Sequence, residues 1–389
     1  MPVGLSVKAE GFTESVIREM TRLNLALHGP DRAVNFAQGF PDFEPSPEIV
    51  RAAQDALAAG GAYHQYATTW GAPALRQALA QKKSREWGRE IDPETEITVA
   101  CGATEAMMAA MLAAVDPGDE VIVFEPYYEN YGPDCILSGA GPRFVPLRPP
   151  GWEVDPDELR RAFTARTRAI VVNTPHNPTG KVFSRTELEL IAALCQEHDA
   201  LAITDEIYEH MVYTGEHVSL ATLPGMADRT ITISGASKTY SVTGWRVGWL
   251  LAPAALTAGI RKVHDFLTVG AAHPLQIAVA AALRFPASYY DALLEEYRER
   301  RDLIVRGLAE RGYGVAAPAG AYYVMAGIDA LTDLDDVAYA NHLVRSAAVA
   351  TVPGSSFYAD RELGRGYVRF SFPKRVETIR RGLDALAAG

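Results

Sequence analysis

The chain has 389 residues, 48% of them hydrophobic and 22% charged, with a formal net charge of −11 at pH 7. That length and balance suit a globular protein with one large domain and a smaller one, or two of comparable size, and the charge argues against nucleic acid, whose phosphates need a basic face. Three widely spaced cysteines, Cys101, Cys135 and Cys195, make neither a disulfide framework nor a CxxC metal site, and no metal is expected.

The opening "MPVGLSVKAE" lacks the apolar stretch of a secretory leader. The longest near-continuous apolar run, "AMMAAMLAAV" (106–115), is too short to span a bilayer. The expected address is the cytoplasm, without a membrane partner. Residues 34–47, "VNFAQGFPDFEPSP", form an extended segment studded with proline and glycine, which reads as an arm or a strand crossing between domains.

Next comes "EITVACG" (96–102), a strand followed by "ATEAMMAAMLAAV", whose alanine and methionine content favours helix. "DEVIVFEP" (119–126), "RAIVVNTP" (168–175), "ALAITDE" (200–206), "TITISGAS" (230–237) and "RVGWLLAP" (246–253) read as further strands. Their apolar character is continuous, so both faces are buried, as in a mostly parallel sheet covered by helices in a three-layer α/β domain. From about residue 290 the texture changes. "YYDALLEEYRERRDLIVRGLAERGY" (289–313) is a long amphipathic helix, leading to an α+β unit with "GAYYVMAGI" (320–328) and "GYVRFSF" (366–372). The division expected is 1–45 as an arm and part of the small domain, 46–288 as the large domain, and 289–389 as the small domain. There is no internal repeat.

Ligands of an open parallel sheet collect at the carboxyl ends of its strands. Asn177 lies in the turn after one apolar strand, Asp205 ends the next with Tyr208 three residues on, and Lys238 follows the one after that. Each alone has a bland reading: a helix-capping aspartate, an asparagine in a proline turn, a phenol at the core edge, a solvated lysine. Together they match the needs of pyridoxal 5′-phosphate. A lysine desolvated among small residues becomes nucleophilic and can hold the aldehyde as an imine. A buried carboxylate, Asp205, can keep the pyridine nitrogen protonated. The Asn177 amide and Tyr208 hydroxyl can donate to the phenolate oxygen. The phosphate can take the backbone N–H groups of Ala103 and Thr104 in "CGATEA", the Ser237 hydroxyl and the fork of Arg246.

From about residue 12 to the end, the chain resembles the class I and II aminotransferases, fold-type I pyridoxal phosphate enzymes. The motifs that carry the resemblance are "NFAQGFPDF", "YATTWG", "GATEA", "EPYYENY", "NTPHNPTG", "TDEIY", "SGASKTYSVTGWRVG" and "VRFSF". "QGFPDF" and "GATEA" are similar to the branch of kynurenine/glutamine, methionine and N-succinyldiaminopimelate aminotransferases. The resemblance implies a mostly parallel seven-stranded sheet in the large domain beside a smaller α+β domain.

It also implies roles. Lys238 would form the internal aldimine and then shuttle the proton between Cα and the cofactor. Asp205 would pair with the pyridinium, and Tyr128 would stack on the ring, with Tyr127 a core tyrosine. Tyr66 would reach the phosphate of a neighbouring subunit's cofactor, which requires a homodimer. Arg369 would bind the substrate α-carboxylate, with the backbone of Gly39 and with Asn177 completing that pocket. The pattern of "YVRFSF" agrees: Val368, Phe370 and Phe372 share one strand face and Arg369 with Ser371 the other.

Two positions depart from relatives. Some bacterial aspartate aminotransferases read a second carboxylate with a lysine where this chain has Thr104. A hydroxyl cannot neutralise that charge, so with Trp70, Tyr66 and Tyr128 near the expected mouth a neutral, apolar or aromatic side chain is anticipated. Gly235 stands where animal aspartate aminotransferases carry a phosphate-binding serine, a variation found in bacterial relatives.

The reaction expected is ping-pong transfer of an amino group between an L-amino acid and a 2-oxo acid. A cysteine-conjugate β-lyase would share Lys238, Asp205 and Arg369 and is the alternative. An aminotransferase-like regulatory protein is a weaker one, because such proteins carry a DNA-binding module in front. There is no G-x-G-x-x-G, P-loop or H-E-x-x-H motif.

Overall fold

The apolar runs of the middle of the chain pair into one sheet in the computed structural model, which describes residues 4–388. In chain order its strands are β1 (Ile97–Ala100), β2 (Glu120–Glu125), β3 (Gly141–Arg148), β4 (Glu153–Val154), β5 (Thr167–Asn173), β6 (Leu201–Asp205), β7 (Thr230–Gly235) and β8 (Gly248–Leu251). The spatial order is β1-β8-β7-β6-β5-β2-β3-β4. β8 pairs antiparallel with both its neighbours and β4 antiparallel with β3, while the remaining pairs are parallel. Every residue of β1, β2, β6, β7 and β8 is buried, as continuous apolar runs require.

The sheet thus holds the seven strands that the resemblance implies, plus the two-residue β4 at its edge. β3, "GPRFVPLR", escapes a reading by apolar pattern because Pro142 and Pro146 interrupt it. It lies next to the edge, where lost ladder donors are tolerated.

The helix Ala103–Ala114 follows β1 and buries Ala106, Met107, Ala109, Ala110, Met111 and Ala114. These small, straight side chains let it lie close to the sheet. Its N-terminus touches β8 closely: a Cβ on Gly248 would stand 2.5 Å from the Ala103 amide nitrogen. Only glycine fits there.

The long helix spans Ala287–Ala309. It is followed by a four-stranded antiparallel sheet in the order Gly314–Val315, Tyr323–Gly327, Tyr367–Ser371, Val352–Pro353. The N-terminal segment packs on this region. Val34–Asn35 pairs parallel with Val349–Ala350, and Ile17, Met20, Val34 and Phe36 join one apolar cluster with Tyr297, Ile304, Phe370 and Leu383. Ile207 and Tyr208 belong to the same cluster, so it reaches the loop beyond β6. Among the described residues no helix is long and apolar enough to cross a membrane.

Candidate active site

The carboxyl ends of β1, β5, β6 and β7 open into a cavity of about 490 Å³, which the 37–40 segment and Arg369 close from the other side. Of the residues singled out in the sequence, Gly39, Ala103, Thr104, Tyr128, Asn177, Asp205, Tyr208, Ser237, Lys238, Arg246 and Arg369 line it. Sequence separations of more than 300 residues are bridged in this one space.

Asp205, the last residue of β6, is buried and lies beside Asn173 of β5 in register. Burial pushes its carboxyl upward. Opposing that, Oδ2 accepts the Tyr131 hydroxyl at 2.7 Å and Oδ1 the Ile207 amide at 3.2 Å. Asn173 donates its side-chain NH2 to the Asp205 carbonyl at 2.8 Å, and its Oδ1 accepts the Asn177 amide at 2.7 Å, tying two strand ends together.

Lys238 sits in the one-turn helix Ala236–Thr239 that follows β7. Its Nζ donates to the Gly39 carbonyl at 3.1 Å. Burial, reinforced by Arg246, pushes its ammonium down to about 8. An amine so placed is partly neutral near physiological pH and can attack an aldehyde.

One corner of the cavity, suited to an anion, is built from backbone. Gly102 precedes the helix Ala103–Ala114 with φ +87°, and no side chain caps that N-terminus. Its first amides are left free for an anionic ligand. A Cβ on Gly102 would meet Arg246 Nη2 at 2.4 Å, so the guanidinium packs directly against the glycine. Arg246 Nη1 donates to the Thr243 carbonyl at 3.0 Å. Ser237 is buried in the same cavity.

Arg369 is 1% exposed, the opposite of the solvated strand face that alternation also allows. Nη1 donates to Asn177 Oδ1 at 2.9 Å and Nη2 to the Ala37 carbonyl at 2.5 Å. Its guanidinium lies 4.5 Å from the Tyr323 ring centroid and 4.8 Å from that of Phe357. Nε is buried with no hydrogen-bond partner. A buried cation with an unspent donor has strong attraction for a carboxylate. The Asn177 carbonyl is spent on Arg369, which leaves its NH2 end to donate elsewhere.

Tyr208 bonds Tyr323 hydroxyl to hydroxyl at 2.8 Å. Tyr128 lies edge-on to Tyr131, with centroids 5.7 Å apart. Tyr127 stacks on Phe144 at 5.0 Å, as a core tyrosine does. Tyr66 is 85% exposed and lies in a separate hollow with Tyr63 and residues 269–273. Trp70 lies under the guanidinium of Arg261 at 5.0 Å. Neither Tyr66 nor Trp70 lines the central cavity of its own chain.

Sequence reading passed over Tyr131, Asn173, Tyr323 and Asp134, all of which line the cavity. Asn173 was accessible in principle, as a polar residue ending an apolar strand. Asp134 is buried, and burial beside Asp205 raises its carboxyl to about 7.

These residues fit pyridoxal phosphate on structural grounds: a softened lysine, a buried carboxylate and an uncapped helix with an arginine at glycine contact share one cavity. Residues 31–386 match the family Aminotransferase class I and II, and the chain belongs to it. The protein is a pyridoxal-phosphate-dependent aminotransferase with the fold-type I architecture.

A probable N-succinyldiaminopimelate aminotransferase of Mycobacterium tuberculosis is 41% identical over 388 residues, 97% of this chain and 96% of that protein. Human kynurenine–oxoglutarate transaminase 1 is 38% identical, over 89% of this chain and 90% of its own. The solved structure of N-succinyldiaminopimelate aminotransferase from Mycobacterium tuberculosis superposes with a TM-score of 0.95 at 40% identity, covering 99% of both chains.

Proposed function

We propose that the chain transfers the amino group of an L-amino acid with a neutral, apolar or aromatic side chain to a 2-oxo acid by a ping-pong mechanism, using the residues gathered around Lys238. The observation that carries this reading is that Lys238, Asp205 and Arg369 line one cavity.

When bound, pyridoxal phosphate supplies an aldehyde that takes the amino group and a protonated ring that withdraws electrons from the substrate Cα. Asp205 would provide negative charge for the ring nitrogen, and the Tyr131 hydroxyl orients that carboxylate. The amides of Ala103 and Thr104, the Ser237 hydroxyl and Arg246 would hold the phosphate. Tyr128, which lines the cavity, would pack on the ring. Asn177 and Tyr208 would donate to the phenolate oxygen. Lys238 would hold the cofactor, and its Nζ, softened by burial, could carry the proton as general acid and base. Arg369 binds the α-carboxylate as a planar fork, and the Gly39 backbone closes the pocket.

The side-chain preference rests on Thr104, which offers no cation, and on the Tyr128 ring. The exposure of Tyr66 supports a homodimer in which it reaches the neighbouring phosphate. We read the chain as a large domain (46–288) and a small one (289–389), with 1–45 as an arm joined to the small domain, working in the cytoplasm. A half-reaction panel tests the function: purified holoenzyme is mixed with single amino acids and the cofactor absorbance followed. Stoichiometric conversion to pyridoxamine phosphate with neutral and aromatic amino acids is expected. Sustained pyruvate release from cysteine conjugates without such conversion would contradict it.

A further inference from the structure

Lys374 is a buried lysine to which the chemistry above gives no task. It is 2% exposed. Its Nζ donates to the Phe40 carbonyl at 2.7 Å and the Gln38 carbonyl at 3.3 Å, and lies 4.1 Å from the Phe40 ring centroid. The charged groups around it are few. Asp42 lies nearby, with Oδ1 taken by the Arg375 amide at 2.6 Å; Lys238 holds the Gly39 carbonyl, between the two that Lys374 takes; and Arg300 donates Nε to the Lys374 carbonyl at 2.9 Å. Burial pushes the ammonium down to about 8. Holding a cation in such a place costs free energy, so its two carbonyl bonds must return something.

What they hold is the backbone of the substrate pocket. Four successive carbonyls are each taken by a side-chain donor: Ala37 by Arg369, Gln38 by Lys374, Gly39 by Lys238 and Tyr322, and Phe40 by Lys374 again. The segment has no slack. A Cβ on Gly39 would stand 2.4 Å from the Tyr323 hydroxyl oxygen. With Lys238 engaged by the cofactor, the Gly39 carbonyl would lose that donor. The cation of Lys374 is not consumed by the reaction.

We infer that Lys374 is a positioning residue for amino-acid binding, its ammonium pinning the 38–40 backbone beside Arg369 while Lys238 is engaged with the cofactor. This rests on the reading that Arg369 and Gly39 form the α-carboxylate pocket. Lys374 does not line the cavity and acts through the backbone it holds.

The test uses holoenzyme of the wild type and of Lys374→Met, Lys374→Arg and Arg369→Ala. It reads kcat and KM for the amino acid, the cofactor Kd, and amide hydrogen exchange. Lys374→Met is expected to raise KM about tenfold while kcat and cofactor Kd change less than about threefold. Exchange should quicken in residues 37–42 and nowhere else, and Lys374→Arg should recover part of the KM. If Lys374→Met does not fold, Lys374→Gln takes its place with the same readouts. The inference is overturned if KM and exchange stay at wild-type values while Arg369→Ala raises KM. It is equally overturned if cofactor affinity falls together with amino-acid binding. An unchanged KM in Arg369→Ala would instead remove the carboxylate-pocket reading beneath it.

Discussion

The hydroxyl of Tyr131 donates to Oδ2 of Asp205 at 2.7 Å in the buried floor of the cavity. The phenol helps to keep a desolvated carboxylate ionised, and burial alone works the other way. Replacing Tyr131 by Phe should weaken cofactor binding about tenfold, the value of one hydrogen bond to a charged group. Asp205→Ala should lower kcat by about a thousandfold or more, because it would remove the charge proposed to keep the ring nitrogen protonated. Equilibrium dialysis of pyridoxal phosphate and steady-state kinetics check the pair. Equal, small effects would mean that the carboxylate is structural.

Arg369 is buried between the Tyr323 and Phe357 rings with Nε unpartnered. Its removal should cost the α-carboxylate its main partner and raise KM by about a hundredfold, the range for truncating one side of a buried charged pair. The cofactor should stay bound. Kinetics and the absorbance of the purified variant separate the two effects, and loss of both would place Arg369 elsewhere in the chemistry.

Gly102 is held at φ +87° with the Arg246 guanidinium against its α-carbon. Gly102→Ala should therefore strain the backbone and displace Nη2 from the helix N-terminus. Losing a charge-assisted bond to phosphate should weaken the cofactor by about tenfold. The measurement is the Kd for pyridoxal phosphate against that for the phosphate-free aldehyde pyridoxal. The discrimination between them should narrow, and a parallel loss of both would contradict this reading.

In apoenzyme the Lys238 amine, pushed down to about 8, is neutral above that pH and protonated below it. Only the neutral form attacks an aldehyde, so uptake of pyridoxal phosphate should quicken by about tenfold from pH 7 to 9 and then level off. A solvated lysine would keep gaining up to about pH 10.4. Stopped-flow absorbance distinguishes the two profiles.

Much of this site was legible in the sequence because its chemistry is carried by strand ends. Asn177, Asp205 and Lys238 each follow an apolar run, and a parallel sheet brings such ends together. Tyr131 and Tyr323 were not legible, since a tyrosine in an aromatic-rich stretch is indistinguishable from core until its hydroxyl finds a partner. Arg369 illustrates the boundary. Alternation in "YVRFSF" put it opposite Val368 and Phe370, but burial of that second face depends on the 37–40 segment, more than 300 residues away. Lys374 went unread for the same reason. β3 was missed because Pro142 and Pro146 break the apolar pattern that marks the other strands. Tyr66 remains exposed on the single chain, and only a second copy could give it the partner that the resemblance implies.

The most direct measurement is borohydride reduction of the yellow holoenzyme, then peptide mapping by mass. The pyridoxyl group should be found on the peptide holding residue 238, and Lys238→Ala should bind no reducible cofactor while keeping its fold and losing turnover by orders of magnitude. A label on another lysine, or a fully active Lys238→Ala enzyme, would contradict the account.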